Sequence, residues 1–140
     1  MKQNNKAVVC YTDGGARGNP GPAGIGVVIK SSDGTDIKKI NEYIGDNITN
    51  NIAEYCAVIR LFEELIKLKI KTATVNLDSE LVVNQLTGNY RVKDEKLKLL
   101  AIKVKTLENQ LESVSYHYIP REQNKEADKL VNIALNLNIK

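Results

Sequence analysis

The sequence predicts an α/β fold in which helices flank a mixed five-stranded sheet. Two observations support this prediction. Five short runs are apolar or alternate between apolar and polar residues, as strands do, and helical patterns follow the last three of them. The predicted order is β-β-β-α-β-α-α-β-α. A meander of three strands followed by crossover helices gives a sheet with both antiparallel and parallel pairs.

The first three predicted strands form the meander. Residues 7–13 predict a short buried strand, residues 23–30 a second strand, and residues 35–45 a third with alternating polarity. A stretch rich in glycine and proline, Gly14 to Pro22, separates the first two strands. The sequence Ser31-Ser32-Asp33-Gly34 is typical of a hairpin turn between the second and third.

The rest of the chain alternates helices with two strands. Asn50 or Asn51 can cap the first helix, Gly88 ends the second, and Asn124 is predicted to cap the last. The predicted elements are a helix over residues 51–68, a strand over 72–78, helices over 79–86 and 94–111, a strand over 113–119, and a helix through about residue 136.

Length and composition indicate a single globular domain over residues 1–140. Hydrophobic residues make up 42% of the chain and charged residues 26%. No apolar run approaches the ~20 residues that span a bilayer, and no apolar signal segment follows the N-terminus, so we expect a cytoplasmic protein without membrane association. A net charge of +3 permits contact with a polyanion. Nothing in the sequence requires more than a monomer, and Cys10 and Cys56 are predicted to be buried.

Two aspartates stand at the ends of predicted strands. Asp13 ends the first strand and Asp78 ends the fourth. If these strands are parallel neighbours, the two carboxylates lie about 5 Å apart, at the edge where open α/β sheets bind ligands. Like charges at that distance repel each other, and Mg²⁺ would turn the repulsion into coordination. A single strand-terminal aspartate is equally consistent with a turn or cap.

Two further acids lie near helix starts on faces predicted to point inward. Glu54 begins an apolar row, and Asp128 lies at the edge of the inward face of the last helix. Either acid alone is also explained by interaction with the helix dipole. Glu63 and Glu64 lie off the apolar row and are predicted to be solvated. The row consists of Ala57, Val58, Leu61 and Leu65.

Taken together, two acids at strand ends and two at helix starts can converge on one point. Clusters of carboxylate oxygens bind hard divalent cations. Two Mg²⁺ about 4 Å apart serve in-line phosphoryl transfer, because one activates water and the other stabilises the leaving oxygen. The pattern therefore predicts metal-dependent chemistry at a phosphate.

Four motifs follow one another in a characteristic order. They are the stretch from Tyr11 to Gly24, the segment Thr49-Asn50-Asn51-Ile52-Ala53-Glu54, the pair Asp78-Ser79, and Asn124-Lys125-Glu126-Ala127-Asp128. In sequence and order these motifs resemble the type 1 ribonuclease H family, and the match covers about residues 8–135. The resemblance implies a ribonuclease H-like fold. It also implies an endonuclease that cuts the RNA strand of an RNA/DNA hybrid and leaves 5′-phosphate and 3′-hydroxyl ends.

The resemblance also implies roles for individual residues. The implied catalytic and metal-binding residues are Asp13, Glu54, Asp78 and Asp128, with two Mg²⁺ per site and Mn²⁺ as a substitute. Glu54 would lie near the RNA 2′-hydroxyl, the group that distinguishes RNA from DNA. Asn19, Asn50 and Asn51 would reach the minor groove of the hybrid, although turn and cap chemistry also explains these asparagines. Thr49 would contact a phosphate of the DNA strand. The implied substrate-binding residues are Gly14, Asn19, Thr49, Asn50, Asn51 and Arg121.

The chain departs from the family pattern at two places. Residues 119–124 lack the histidine that many members carry there, and Arg121 can replace its charge but cannot shuttle a proton at neutral pH. The short segment between Asp78 and Asp128 leaves no room for a basic protrusion, so the chain resembles a compact subgroup. Two alternatives stay open: a ribonuclease H-like nucleic-acid-binding module with weak or no catalysis, and a nuclease of the same superfamily acting on DNA.

Overall fold

The computed structural model describes residues 7–138, which contain five strands and four α-helices in the predicted order. A 3₁₀ turn at Arg121–Gln123 was not predicted. The expectation of one domain over residues 1–140 includes residues 1–6 and 139–140, which lie outside the described residues, and it stays a prediction. The elements are β1 (Ala7–Ala16), β2 (Gly21–Ser31), β3 (Asp36–Ile48), α1 (Asn50–Lys67), β4 (Thr72–Leu77), α2 (Glu80–Leu86), α3 (Glu95–Glu108), β5 (Ser113–Tyr118) and α4 (Lys125–Asn138).

The five strands form one mixed sheet, which confirms the predicted fold class. Their spatial order is β3-β2-β1-β4-β5. Strands β1, β2 and β3 pair antiparallel as a meander. Helical crossovers then place β4 parallel to β1 and β5 parallel to β4. The first and fourth strands are parallel neighbours, so the condition under which Asp13 and Asp78 come close is met.

Strand β1 runs three residues further than the sequence predicted. Its parallel pairing with β4 ends at Thr12, opposite Leu77, but its antiparallel pairing with β2 continues to Ala16. Asp13 therefore does not end the strand. Asp13 and Asp78 each follow the last residue of the β1–β4 pair, so both still emerge at the same edge of the sheet.

Helices α1 and α4 pack on opposite faces of the sheet. In β2, Val27 and Ile29 point into the core beneath α1, whereas Gly26 lies against the backbone of α4. This alternation follows from the two-residue period of a strand. The largest fully buried side chains include Tyr55, Phe62, Ile25, Ile29, Leu61, Leu65 and Leu77.

Helix α1 begins one residue earlier than predicted and has a different cap. The Thr49 hydroxyl accepts a hydrogen bond from the Ile52 backbone N–H at 3.2 Å, so Thr49 is the cap rather than Asn50 or Asn51. The side chain of Asn50 instead accepts from the backbone N–H of Ala16 at 2.8 Å. This bond ties the start of α1 to the end of β1.

Helices α2 and α3 each begin one residue later than predicted. Ser79 and Asp94 are their caps and accept hydrogen bonds from the backbone N–H groups of Val82 and Leu97 at 3.2 and 3.0 Å. Helix α3 also ends at Glu108, three residues before the predicted end. The apolar pattern continued beyond the helix because the following turn also packs on the core.

The prediction of a solvated Glu64 is wrong. Its side chain is buried and receives a hydrogen bond from Arg60 Nη1 at 3.0 Å, with Lys38 Nζ at 3.9 Å. Arg60 also pairs with Glu42 on β3 at 2.9 Å. Strand β3 thus supplies charged partners to a helix face that looked exposed in the sequence, and a paired charge tolerates burial. Glu63 is exposed, as predicted.

Cys10 is buried, whereas Cys56 is only half-buried, and both are free thiols. Across residues 7–138, none of the helices combines the length and apolar character needed to cross a bilayer.

Candidate active site

Three carboxylates meet at the edge of the sheet where β1 and β4 stop pairing. One oxygen from each of Asp13, Glu54 and Asp78 lies within 4.8 Å of the other two. Asp13 and Glu54 are buried, and Asp78 is half-buried. The parallel register of β1 and β4 brings the two aspartates together, and α1 adds the glutamate from just beyond its first turn.

Glu54 reaches this edge because β1 and α1 approach each other unusually closely. A Cβ atom added to Gly14 would lie 2.3 Å from the carbonyl carbon of Ala53 and 2.7 Å from the Glu54 nitrogen. Only glycine fits there. The backbone N–H of Gly14 also donates a hydrogen bond to the Glu54 carboxylate. Gly14, predicted to bind substrate, thus has a structural reason to be glycine.

Asp128 joins the cluster from the opposite face of the sheet. It is half-buried, forms a hydrogen bond with Asp13 and lies outside the close group of three. The approach of α4 depends on Gly26, the register partner of Asp13, because a Cβ atom there would lie 2.2 Å from the Ala127 carbonyl oxygen. The structure therefore brings together all four predicted acids.

Electrostatic repulsion in this cluster is large in the absence of a cation. Burial, followed by the charges of Asp78 and Asp128 and the hydrogen bond with Asp128, raises the pKa of Asp13 from 3.8 to about 8. The charge of Arg121 opposes the shift. The metal-free cluster therefore retains a proton to a higher pH than an ordinary carboxyl group does.

The pKa of Glu54 is also raised well above its usual value. Burial is the main cause, and the charges of Asp13 and Asp78 add to it. The Gly14 N–H and the charge of Arg121 act in the opposite direction. Two buried carboxyl groups with raised pKa values at one point are typical of a functional site.

The cluster fits a hard divalent cation. Its donors are all carboxylate oxygens, the ligand type that Mg²⁺ and Mn²⁺ prefer. Oε1 of Glu54 is buried and has no hydrogen-bond partner within residues 7–138. An unpaired buried carboxylate oxygen is costly in an apoprotein, and a bound cation would satisfy it.

The acids line one cavity of about 450 Å³. Arg121, predicted to bind substrate, lines it too. Three polar residues that were not predicted as site residues also line it: Arg17, Ser79 and Asn132. Asn132 lies four residues after Asp128 on the same helix, and this spacing could have indicated it. The residues lining the cavity include Asp13, Gly14, Arg17, Asn50, Glu54, Asp78, Ser79, Arg121, Asp128 and Asn132.

The other predicted substrate-binding residues divide between two cavities. Asn50 lines the acidic cavity, whereas Asn19, Thr49 and Asn51 line a second cavity of about 740 Å³ that reaches the start of α3. Asn19 Oδ1 accepts a hydrogen bond from the Asn50 N–H at 3.0 Å and so connects the loop after β1 to α1. Their roles in substrate binding stay predictions.

Asn124 occupies the predicted cap position of α4, where its carbonyl oxygen accepts a hydrogen bond from the Asp128 N–H at 3.1 Å, but its side chain does not cap the helix. Asn124 directly precedes the helix, but its Nδ2 donates to the Thr12 carbonyl oxygen at 2.9 Å and to Asp78 Oδ2 at 3.0 Å. Its Oδ1 finds no hydrogen-bond partner in the described part of the chain. The two acceptors at the end of the sheet orient the amide away from the helix.

Comparisons with known proteins agree with this arrangement. The sequence pattern of the family described as Reverse transcriptase-like matches residues 11–134. The crystal structure of RNase H1 from Halobacterium salinarum has 37% sequence identity and a TM-score of 0.90, covering 93% of this chain and 98% of that one. The chain belongs to the type 1 ribonuclease H family. The resemblance seen in the four motifs is thereby confirmed.

Two further ribonuclease H structures are equally similar. The N-terminal RNase H domain of a Mycobacterium tuberculosis protein has 39% identity and a TM-score of 0.91, covering 95% of this chain and 96% of that one. LC11-RNase H1 in complex with an RNA/DNA hybrid has 43% identity and a TM-score of 0.90, covering 95% of this chain and 99% of that one.

Some ribonuclease H relatives are longer than this chain. A bifunctional protein of Mycobacterium tuberculosis is 38% identical over 129 residues, which is 92% of this chain but 35% of that protein. Ribonuclease HI of Halobacterium salinarum is 37% identical over 129 residues, or 64% of its length. The chain thus spans about a third to two thirds of the curated relatives it matches.

Proposed function

We propose that this protein hydrolyses the RNA strand of RNA/DNA hybrids with two divalent cations, leaving 5′-phosphate and 3′-hydroxyl ends. The observation that carries the proposal is the buried group of Asp13, Glu54 and Asp78, in which one carboxylate oxygen of Glu54 has no protein partner. Family membership and the hybrid bound to LC11-RNase H1 support the choice of substrate.

The four acids would hold the cations. Asp13 belongs to the close group with Glu54 and Asp78 and also forms a hydrogen bond with Asp128, so it would contact both ions. Glu54, Asp78 and Asp128 would complete their coordination. When bound, the two cations activate a water molecule and stabilise the leaving oxygen of an in-line displacement. Because Asp13 and Glu54 have raised pKa values, cation binding must displace protons, so metal affinity is expected to rise with pH.

Substrate recognition would rest on the residues around the two cavities. Glu54 would contact the RNA 2′-hydroxyl, and Asn19, Asn50 and Asn51 would contact sugars and base edges in the minor groove. Thr49 would contact a phosphate of the DNA strand at the second cavity. Such contacts select the shape and sugars of the duplex rather than its sequence. We further propose that the protein acts as a monomer.

The direct test is cleavage of a short labelled RNA paired with DNA, in Mg²⁺ and then Mn²⁺. RNA alone, a DNA/DNA duplex and the Asp13→Asn variant are the controls. Internal cuts in the hybrid alone, lost in Asp13→Asn, are the expected result. Binding of the hybrid without cleavage in either metal would favour a binding module, and cleavage of the DNA duplex would favour a DNA nuclease. Size-exclusion chromatography with light scattering tests the monomer.

A further inference from the structure

The two arginines of the acidic cavity differ in their surroundings. Arg121 lies close enough to Asp13 and Glu54 to lower the pKa of both. Arg17 is exposed, and among residues 7–138 it forms no ion pair, although four carboxylates line the same cavity. The guanidinium of Arg17 therefore remains available to a charged group from outside the protein.

Arg17 is nevertheless held in place at two points. Its backbone N–H donates to the Pro22 carbonyl oxygen at 2.8 Å, which closes the loop after β1. Its Nη2 donates to Asn132 Oδ1 at 3.3 Å, and Asn132 Nδ2 donates in turn to the Asp128 carbonyl oxygen at 3.2 Å. A chain of hydrogen bonds thus ties the guanidinium to the turn of α4 that carries Asp128.

The donor capacity of Arg17 is mostly unused. A guanidinium has five N–H donors, and the single side-chain hydrogen bond to Asn132 uses one of them. The free donors lie in a planar fork that matches the oxygens of a phosphate. A cation here would also offset the repulsion that a polyanionic strand meets at four carboxylates.

We propose that Arg17 binds a backbone phosphate of the strand that enters the acidic cavity, and that Asn132 orients it for this contact. The inference rests on the proposed function, under which that strand is RNA. Arg17 contributes affinity without sequence preference, as phosphate contacts do. It is a substrate-binding residue and takes no part in the chemical step, so its loss raises KM and leaves kcat unchanged.

The test measures hybrid binding as a function of salt in the uncleaving Asp13→Asn protein with Mg²⁺ present. One lost phosphate contact lowers the slope of log K against log[salt] by about 0.9. Near 50 mM salt, adding Arg17→Ala is therefore expected to raise the Kd several-fold above that of the parent Asp13→Asn protein. By about 200 mM salt, the ratio of the two Kd values should be about threefold smaller. Fluorescence anisotropy of a labelled hybrid reads both values.

Three further variants separate charge from structure. Arg17→Lys keeps the charge and should keep the parent slope with weaker binding. Asn132→Ala removes the orienting contact but no charge, so the Kd should rise less than in Arg17→Ala with the slope retained. Lys67→Ala removes an exposed cation at the far end of α1 and should change neither.

The outcomes distinguish this inference from the proposed function. The phosphate contact would be overturned if Arg17→Ala had the same salt slope as the parent protein. It would also be overturned if Lys67→Ala lowered the salt slope as much as Arg17→Ala does. A drop in melting temperature of Arg17→Ala without any change in hybrid affinity would show a purely structural tie. Failure of the wild-type protein to cut the hybrid, with the slope change present, would remove the proposed catalysis and leave the contact standing. Failure to bind the hybrid at all would remove both.

Discussion

Asn124 Nδ2 lies 3.0 Å from Asp78 Oδ2 and donates a hydrogen bond to it. The same nitrogen donates to the Thr12 carbonyl oxygen at 2.9 Å, so one side chain joins the ends of β1 and β4 to the start of α4. Its Oδ1 stays buried without a partner within residues 7–138, a cost of about 1–3 kcal/mol. This amide orients a carboxylate of the candidate active site, while its own oxygen is left without a hydrogen bond.

The first prediction concerns that contact. Asn124→Ala should raise the Mg²⁺ concentration for half-maximal cleavage by about 10-fold to 100-fold, the usual effect of losing a partner of a metal ligand. Asn124→Asp should lose more, because it places a carboxylate against Asp78. A Mg²⁺ titration of hybrid cleavage measures both. An unchanged Mg²⁺ requirement in a folded Asn124→Ala protein would contradict the role.

The second prediction is a pH dependence of the metal-free protein. The pKa of Asp13 is about 8 in the folded state and near 3.8 in the unfolded chain, so the folded state alone binds this proton in between. The slope of unfolding free energy with pH is therefore negative in this window. The contribution of Asp13 to the unfolding free energy is fully present below about pH 4 and is lost as pH rises through about 8.

The Asp13→Asn variant isolates this effect. Its side chain cannot ionise, so its melting temperature in metal-free buffer should exceed the wild-type value by a margin that grows from about pH 5 to about pH 8. Lys30 lowers the pKa of Asp36, and Lys39 lowers that of Glu126. Both ion pairs make the unfolding free energy rise with pH. Because this effect is the same in the wild-type and variant proteins, it cancels in the difference between them. A margin that shrinks with pH would contradict the repulsive cluster.

The third prediction concerns stabilisation by the cation. Mg²⁺ at about 100 times its Kd should stabilise the wild-type protein by about 2.7 kcal/mol, because it binds the folded state only. Glu54→Gln should lose most of this gain, since it removes a buried carboxylate from the group of three. Glu63→Gln, an exposed acid on the same helix, is the matched control and should keep it. Thermal melts with and without Mg²⁺ decide between them.

The fourth prediction compares two neighbouring glycines of β1. Gly14→Ala should destabilise the protein by at least about 2 kcal/mol, because the new methyl group would overlap the backbone of Ala53. Gly15→Ala should be tolerated in urea unfolding, because its Cβ meets its nearest atom only at 3.9 Å. Equal stability of the two variants would contradict the close approach of β1 and α1 that places Glu54.

The order of the elements and the four candidate acids could be predicted from the sequence alone. These features depend on local patterns: alternation or apolar runs for strands, three- and four-residue spacing for helices, and an acid at a position where the pattern calls for an apolar residue. Glu54 could be selected because it begins the buried row of α1, where an unpaired charge is costly.

The contacts of individual side chains, in contrast, depend on how the elements pack. Glu64 was predicted to be solvated, but it is buried because β3 packs on this face of α1. Strand β3 supplies Lys38 near Glu64 and Glu42 as a partner of Arg60. The side chain of Asn124 does not cap α4, because the ends of β1 and β4 supply two acceptors for its Nδ2 group, 112 and 46 residues away in the chain. Hydrogen bonds and ion pairs between distant segments leave no periodic trace in the sequence, because they depend on how strands and helices pack rather than on local spacing.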